Sequence, residues 1–390
     1  MPRPSADLLP PVAASLTSRL AIWLRGVWLQ WALALLLAGA LWALARMVAQ
    51  HLEEHSVAAG FGFLREQAGF AIADTPLAFD PTQSYGRALL AGLLNSLMVS
   101  ACATVGGAVL GLVIALLRQS PSGLGRGLGH AYVHGLRNIP LLLQLILWHT
   151  VITRLLPGPR QAWVPLPHVY LSNRGLVLPA LQADGWVWAA LLVGAVGGWL
   201  LRRRVGWWSL LALALPLLVF WGSGEGLRID LPQLAGFNFR GGTTVSPEFV
   251  ALTGGLIVYS AAFLAEIFRA GLESVPTGQR EAALSLGLSP LQTLFLVVLP
   301  QALRLMVPLL ANQALTIVKN STLAVAIGFA DFVAVANTVI TQTGHAVEGV
   351  TLIMAVYLTL SLSIAAFAQL YNRRILARGG AVSQGSGGMP

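Results

Sequence analysis

The chain has 390 residues, 56% of them hydrophobic and only 10% charged, with a mean hydropathy of +0.72. A soluble domain carries about 25% charged residues to solvate its surface, so this composition excludes a water-soluble globular protein and demands lipid contact over much of the surface. The net charge of +9 does not point to nucleic acid, because the arginines fall in short groups between apolar runs rather than on one face.

Taken in chain order, 1–26 reads as a cytoplasmic N-terminal segment carrying Arg3, Arg19 and Arg25. The apolar run 27–48 exceeds the roughly 7–15 residues of a signal-peptide core and approaches the ~20 that span a bilayer. It is expected as a retained, extra N-terminal transmembrane helix. A periplasmic segment at 49–87 follows, with Glu53, Glu54, Glu66, Asp74 and Asp80. The remainder, 88–374, holds charge-poor spans at 88–117 and 131–152, a Pro-rich periplasmic loop at 153–184, and an inserted helix pair at about 185–222. That pair, 185–201 and 205–222, flanks Arg202-Arg203-Arg204. A second periplasmic loop at 223–246 precedes spans at 247–268, 291–318 and 348–371, and the Gly/Ser-rich tail 375–390 reads as disordered. The expected architecture is an all-α integral membrane protein with about eight transmembrane helices, since only a helix satisfies its own backbone in hydrocarbon.

Arginine placement orients the chain. Arg118 and Arg126 follow the second span, Arg269 and Arg280 the sixth, and Arg373, Arg374 and Arg378 the last. With an even number of spans these groups share one side with the N-terminal arginines and the triple arginine, so both termini are expected to be cytoplasmic. Arg154, Arg160 and Arg174 dissent.

The loop GLESVPTGQREAALSLGLSP, between the sixth and seventh spans, is too polar to cross and falls on the cytoplasmic side. Its centre, 277–286, reads as a short surface helix with Thr277 as N-cap, Glu281 in the early turns, and Gly287 and Pro290 as stops. Ala282 and Ala283 would let another surface approach closely.

Other signals are weaker. Cys102, in an apolar run, reads as a packing residue. The single lysine, Lys319, has no glycine-rich loop before it, and Ser122-Gly123-Leu124-Gly125-Arg126-Gly127 reads as a flexible cytoplasmic turn, so neither makes a nucleotide cradle. His130 and His134 have i, i+4 spacing but lack a third ligand, so no metal is expected. Polar groups in or beside the spans are costly and mark pathways. Asn95, Arg137, Asn138, Asn320, Ser321 and Asp331 are the candidates for a substrate pathway or gate; the competing reading makes Lys319 an interfacial residue partnered by Asp331. Glu266 and Arg269, at i, i+3, read as a structural ion pair.

The cytoplasmic loop carries Glu281-Ala282-Ala283, three residues, Gly287, nine residues, then Val297-Val298-Leu299-Pro300. This resembles the signature of ABC importer permeases, with Val297 where the family has Ile. Asn95-Ser96-Leu97, the run Leu136-Arg137-Asn138-Ile139-Pro140-Leu141-Leu142 with Gln144, and Lys319-Asn320-Ser321-Thr322-Leu323-Ala324 with Ile327-Gly328 and Asp331 are similar to the polar amino acid branch. Gly60-Phe61-Gly62-Phe63-Leu64, Ser84-Tyr85-Gly86-Arg87-Ala88 and Asn173-Arg174-Gly175 are similar to the larger, broad-specificity L-amino acid permeases.

The resemblance implies a type I ABC importer permease fold, a multi-pass location in the bacterial inner membrane, and no enzymatic activity or cofactor of the chain's own. It implies two ATPase subunits, a second permease subunit (a paralogue), a periplasmic amino-acid-binding protein and an L-amino acid substrate. Glu281, Ala282, Ala283, Gly287 and Pro300 would then form the ATPase-coupling element, with Gly287 permitting close approach and Pro300 breaking the start of the seventh span. The alternative is a secondary amino acid transporter driven by an ion gradient.

Overall fold

The computed structural model describes residues 60–182 and 228–379, together with scattered positions between 28 and 47. The expected N-terminal segment 1–26 and the helix pair at 185–222 lie outside the described residues, as does 380–390 of the tail 375–390 expected to be disordered; the first residues of that tail, 375–379, instead continue the last helix. Every described position of the expected first span is helical, and the Arg46 guanidinium lies 4.8 Å from the Trp42 ring centroid.

A compact unit begins at Gly62. Its helices are α1 (Tyr85–Arg118), α2 (Gly123–Asn138), α3 (Leu141–Thr150), α4 (Pro247–Glu273), α5 (Thr277–Ser285), α6 (Pro290–Thr293), α7 (Leu299–Asn320), α8 (Phe332–Thr343) and α9 (Ala346–Gly379). Among the described residues four helical stretches are long and apolar enough to cross a membrane: Tyr85–Arg118, Pro247–Glu273, Pro290–Ile327 and Ala346–Tyr371. The expected span at 131–152 is instead a bent pair, Gly123–Asn138 and Leu141–Leu155, turned by 102°. Pro140 causes the bend: it has no N–H to give, and it steers Ile139 into the extended region, at ψ 126. Gln144 stitches the corner, its Nε2 donating to the carbonyls of Leu136 and Ile139 at 3.0 Å each. The glycine-rich run expected as a turn is the first stretch of α2, capped by Ser122, whose Oγ accepts from Gly125 N.

The loops at 153–182 and 228–246 are not irregular, as the all-α expectation had them. They build eight short antiparallel strands: β1 (Trp163–Leu166), β2 (Val169–Ser172), β3 (Gly175–Leu178), β4 (Ala180–Gln182), β5 (Arg228–Asp230), β6 (Gln233–Ala235), β7 (Asn238–Arg240) and β8 (Thr243–Val245). One sheet has the order β1-β2-β3-β8; β4-β5 and β6-β7 are separate pairs. Asn173 and Arg174 turn β2 into β3, with Ser172 facing Gly175. Gly175 has φ +102, and a Cβ there would sit 2.0 Å from Val245 O, so only glycine fits.

The two longest neighbours, α1 and α4, pack where glycines on α1 remove side-chain bulk. A Cβ on Gly106 would meet Ile257 at 2.6 Å, and one on Gly111 would meet Leu264 at 2.8 Å. Val99, Ala103, Leu252, Leu256 and Ile317 fill this core. A second core joins α1 to α8 and to the strap at 62–84, through Phe63, Ala88, Phe332, Val335 and Val339. The strap is tied down by Asp74, whose Oδ2 accepts from Ser246 N at 3.0 Å beside the start of α4. Ser246 is also the N-cap of α4, and Pro247 occupies its first turn.

Candidate functional site

The polar loop forms α5 as a short helix, with two local differences from its sequence reading. Pro276, not Thr277, precedes the helix as its cap residue and makes no side-chain cap bond. Ala283 is buried at 4% exposure while Ala282 faces outward, so only one of the two alanines is available to another surface. The helix ends in a Schellman arrangement: Gly287 N donates to Leu284 O at 2.9 Å and Leu288 N to Ala283 O at 3.2 Å. Gly287 has φ +81, and a Cβ there would touch no atom within 4 Å. Its visible role is therefore the left-handed turn; within this chain nothing approaches it closely.

α5 is mounted stiffly. Arg280 Nη2 donates to Leu272 O at 2.7 Å, tying the helix to the end of α4. Leu272, Val275, Val298, Ala302 and Met306 form a small core beneath it that joins α4 to α7. Above that core Glu281 and Ala282 are exposed, with Leu284 at 48% and Leu286 at 83% exposure. Two outward leucines beside a carboxylate on a rigid helix make a small docking face, and the leucines were not singled out in the sequence.

Pro300 does not break the following helix. The stretch Pro290–Ile327 is continuous, and a π-helical turn at Leu294–Val298 carries it into α7. Proline cannot donate to the carbonyl four residues back, so the ladder widens locally instead of ending. Gln301 Nε2 donates to Val297 O at 2.9 Å, partnering a carbonyl in that disturbed turn.

The six pathway candidates separate into different places. Asn95, Ser321 and Asp331 come together where the turn before α8 meets α1, and Ser96 and Tyr357 join them. Asn95 Nδ2 donates to Ala330 O at 3.0 Å, and Ser96 Oγ accepts from Phe332 N at 3.0 Å. Asp331 caps α8, its Oδ1 accepting from Ala334 N at 2.8 Å. Asn95, Ser321 and Asp331 are all at 0% exposure. Among the described residues Asn95 Oδ1 and Asp331 Oδ2 have no hydrogen-bond partner. The Tyr357 hydroxyl lies beside Ser96 and Ser321 without full hydrogen-bond geometry. Lys319 is exposed and in none of the ion pairs among the described residues, so the Lys319–Asp331 pairing is not made. Asn320 is half-buried at the end of α7.

Arg137 belongs to another cluster. Glu266 Oε1 lies 2.8 Å from Arg118 Nη1 and 3.8 Å from Arg137 Nη1, and its Oε2 lies 3.1 Å from Arg269 Nη2. Arg137 also stacks over Phe263, 5.0 Å from the centroid. The Glu266–Arg269 pair expected from i, i+3 spacing is present, and Arg118, at 5% side-chain exposure, is the partner the sequence did not offer. Phe249, near the other end of α4, contacts Phe329 just before Asp331. The two clusters are thus separated along α4 by roughly 25 Å, at ~1.5 Å rise per residue. Asn138 ends α2 at the bend, exposed, and touches neither cluster.

Residues 107–377 match the family described as binding-protein-dependent transport system inner membrane component. The chain is 45% identical to the putative amino-acid ABC transporter permease protein YhdX of Escherichia coli (strain K12), over 83% of this chain and 87% of that protein. It is 40% identical to the general L-amino acid transport system permease protein AapQ of Rhizobium johnstonii, over 90% and 92%. It is 36% identical to the glutamate/glutamine/aspartate/asparagine transport system permease protein BztB of Rhodobacter capsulatus, over 88% and 91%.

Proposed function

The chain belongs to the family of binding-protein-dependent transport system inner membrane components, and we propose on that footing that it is the permease subunit of an ATP-driven importer carrying polar or general L-amino acids into the cytoplasm. It is a membrane component and not itself an enzyme; ATP is hydrolysed by separate subunits. A second permease and an extracytoplasmic binding protein complete the assembly. In our reading the second permease is a paralogue, two ATPase subunits bind below, and the arginine-rich ends, with both termini, face the cytoplasm.

The observation that carries the coupling assignment is the mounting of α5. A helix hung on the end of α4 by Arg280 and on α7 through the Leu272, Val298 and Met306 core transmits a push from its exposed face into two spanning helices at once. Glu281, Ala282, Leu284 and Leu286 supply the face, Ala283 and Gly287 the shape of its end, and the turn leading to Pro300 its connection to α7. Asn95 and Ser96 pin the start of α8 to α1 through Ala330 O and Phe332 N, while Ser321 and Asp331, buried beside them, bond locally; Asn95, Ser321 and Asp331 serve as the gate end of the same machine, with buried polar groups that have few alternative partners in hydrocarbon.

Uptake of labelled amino acids separates this mechanism from ion-driven transport. The proposal predicts that uptake stops when ATP is depleted with the proton gradient held, and persists when the gradient is collapsed with ATP maintained. The reverse pattern would assign the chain to gradient-driven transport.

A further inference from the structure

α8 has two faces of opposite character. Phe332, Val335, Ala336 and Val339 are buried against α1 and α9. The other face presents Asn337, Thr338, Thr341 and Gln342, and with Val325 and Ala334 these line an open cavity of about 480 Å³. Asn337, Thr341 and Gln342 are exposed. A row of amides and hydroxyls on an otherwise apolar helix is unsuited to lipid, where each unpartnered group costs several kcal/mol, by order of magnitude.

The hydrogen-bonding capacity of this row is set by bonds already made. Thr338 Oγ1 donates to Ala334 O at 3.0 Å and Thr341 Oγ1 to Asn337 O at 2.8 Å, so both hydroxyls turn acceptor lone pairs outward. Gln342 Oε1 accepts from the Tyr85 hydroxyl at 3.1 Å, which leaves its NH2 group as a donor. The Asn337 amide has no partner among the described residues and offers both donor and acceptor. Among the described residues no charged side chain lines the cavity.

We infer that this groove is the part of the translocation pathway that receives the amino acid, and that its neutral lining lets side chains of either charge pass. Acceptors meet the ammonium and donors meet the carboxylate, the groups every α-amino acid shares. A lining without formal charge neither attracts nor repels an acidic or basic side chain. This inference rests on the importer reading and adds to it the residues that set charge tolerance.

The test is transport by the complete reconstituted importer, wild type against Asn337→Asp, an exposed and nearly isosteric change. Thr341→Asp, one turn along the same face, is measured alongside to guard against a folding defect in either variant. Uptake of glutamate, glutamine and lysine is compared, with the amount of assembled complex as the control. The expected result is a fall in glutamate uptake of about tenfold relative to glutamine, the scale of one like-charge contact, with lysine retained and the complex recovered intact. If all three substrates change by one common factor, or none changes, the groove is not on the pathway. A wild-type complex that carries none of the three overturns the importer reading as well, so the two failures are distinguishable.

Discussion

Arg118 carries a full positive charge at 5% side-chain exposure, and Glu266 is the carboxylate that neutralises it. A buried ion deprived of its partner is far more costly than an exposed one, at about 3–5 kcal/mol against about 1 kcal/mol or less. Glu266→Ala is therefore expected to lower the thermal midpoint of the detergent-solubilised chain strongly. Glu273→Ala, removing a half-exposed carboxylate paired with Arg269, should move it little. Equal small shifts for the two would contradict the account of this cluster. At this scale the sequence is partly legible. The i, i+3 spacing of Glu266 and Arg269 announces their pairing, whereas Arg118 is distant in sequence and arrives only through the packing of α1 on α4. The same holds for Asn95 and Asp331: each is a conspicuous polar residue in an apolar run, and nothing local says that they meet. The Lys319–Asp331 pairing fails because the two side chains lie in different surroundings: Asp331 is fully buried at the start of α8, while Lys319 is exposed.

Elements show a different boundary between what is legible and what is not. Long charge-poor runs specify α1, α4, α7 and α9 because the bilayer imposes their length. The bend between α2 and α3 was signalled by Pro140, but hydropathy averages across it. α8 was missed because a helix of 12 residues falls short of a span and half of its face is polar. Glycine use within helices also separates by position. At Gly111 a Cβ would meet Leu264 at 2.8 Å and the Ala261 carbonyl at 3.0 Å, while at Gly254, in the middle of α4, it would touch nothing within 4 Å. Gly111→Ala is expected to destabilise the α1–α4 contact by about 1–3 kcal/mol through overpacking. Gly254→Ala is expected to be neutral or stabilising by up to about 1 kcal/mol, because alanine favours a helix interior. Thermal unfolding of the two purified variants checks the contrast, and a more stable Gly111→Ala protein would show that the helices are not in this register.

For the whole molecule, the membrane class and the family-like signature were legible because each is a property of composition or fixed spacing. The small sheets were not: their strands are three or four residues long, and two of their pairings join segments on either side of the 183–227 stretch. The central claim is that α5 is the surface through which an ATP-hydrolysing partner drives this subunit, and Leu286, at 83% exposure, is its most accessible apolar group. The most direct measurement is co-purification in mild detergent of the wild-type chain and of Leu286→Asp, with ATP hydrolysis assayed in both preparations. The account predicts a stoichiometric ATPase bound to the wild type and largely lost from the variant, while the level of the chain in the membrane is unchanged. An ATPase retained equally by both, or a wild-type complex with none from cells that express it, would contradict the assignment of α5.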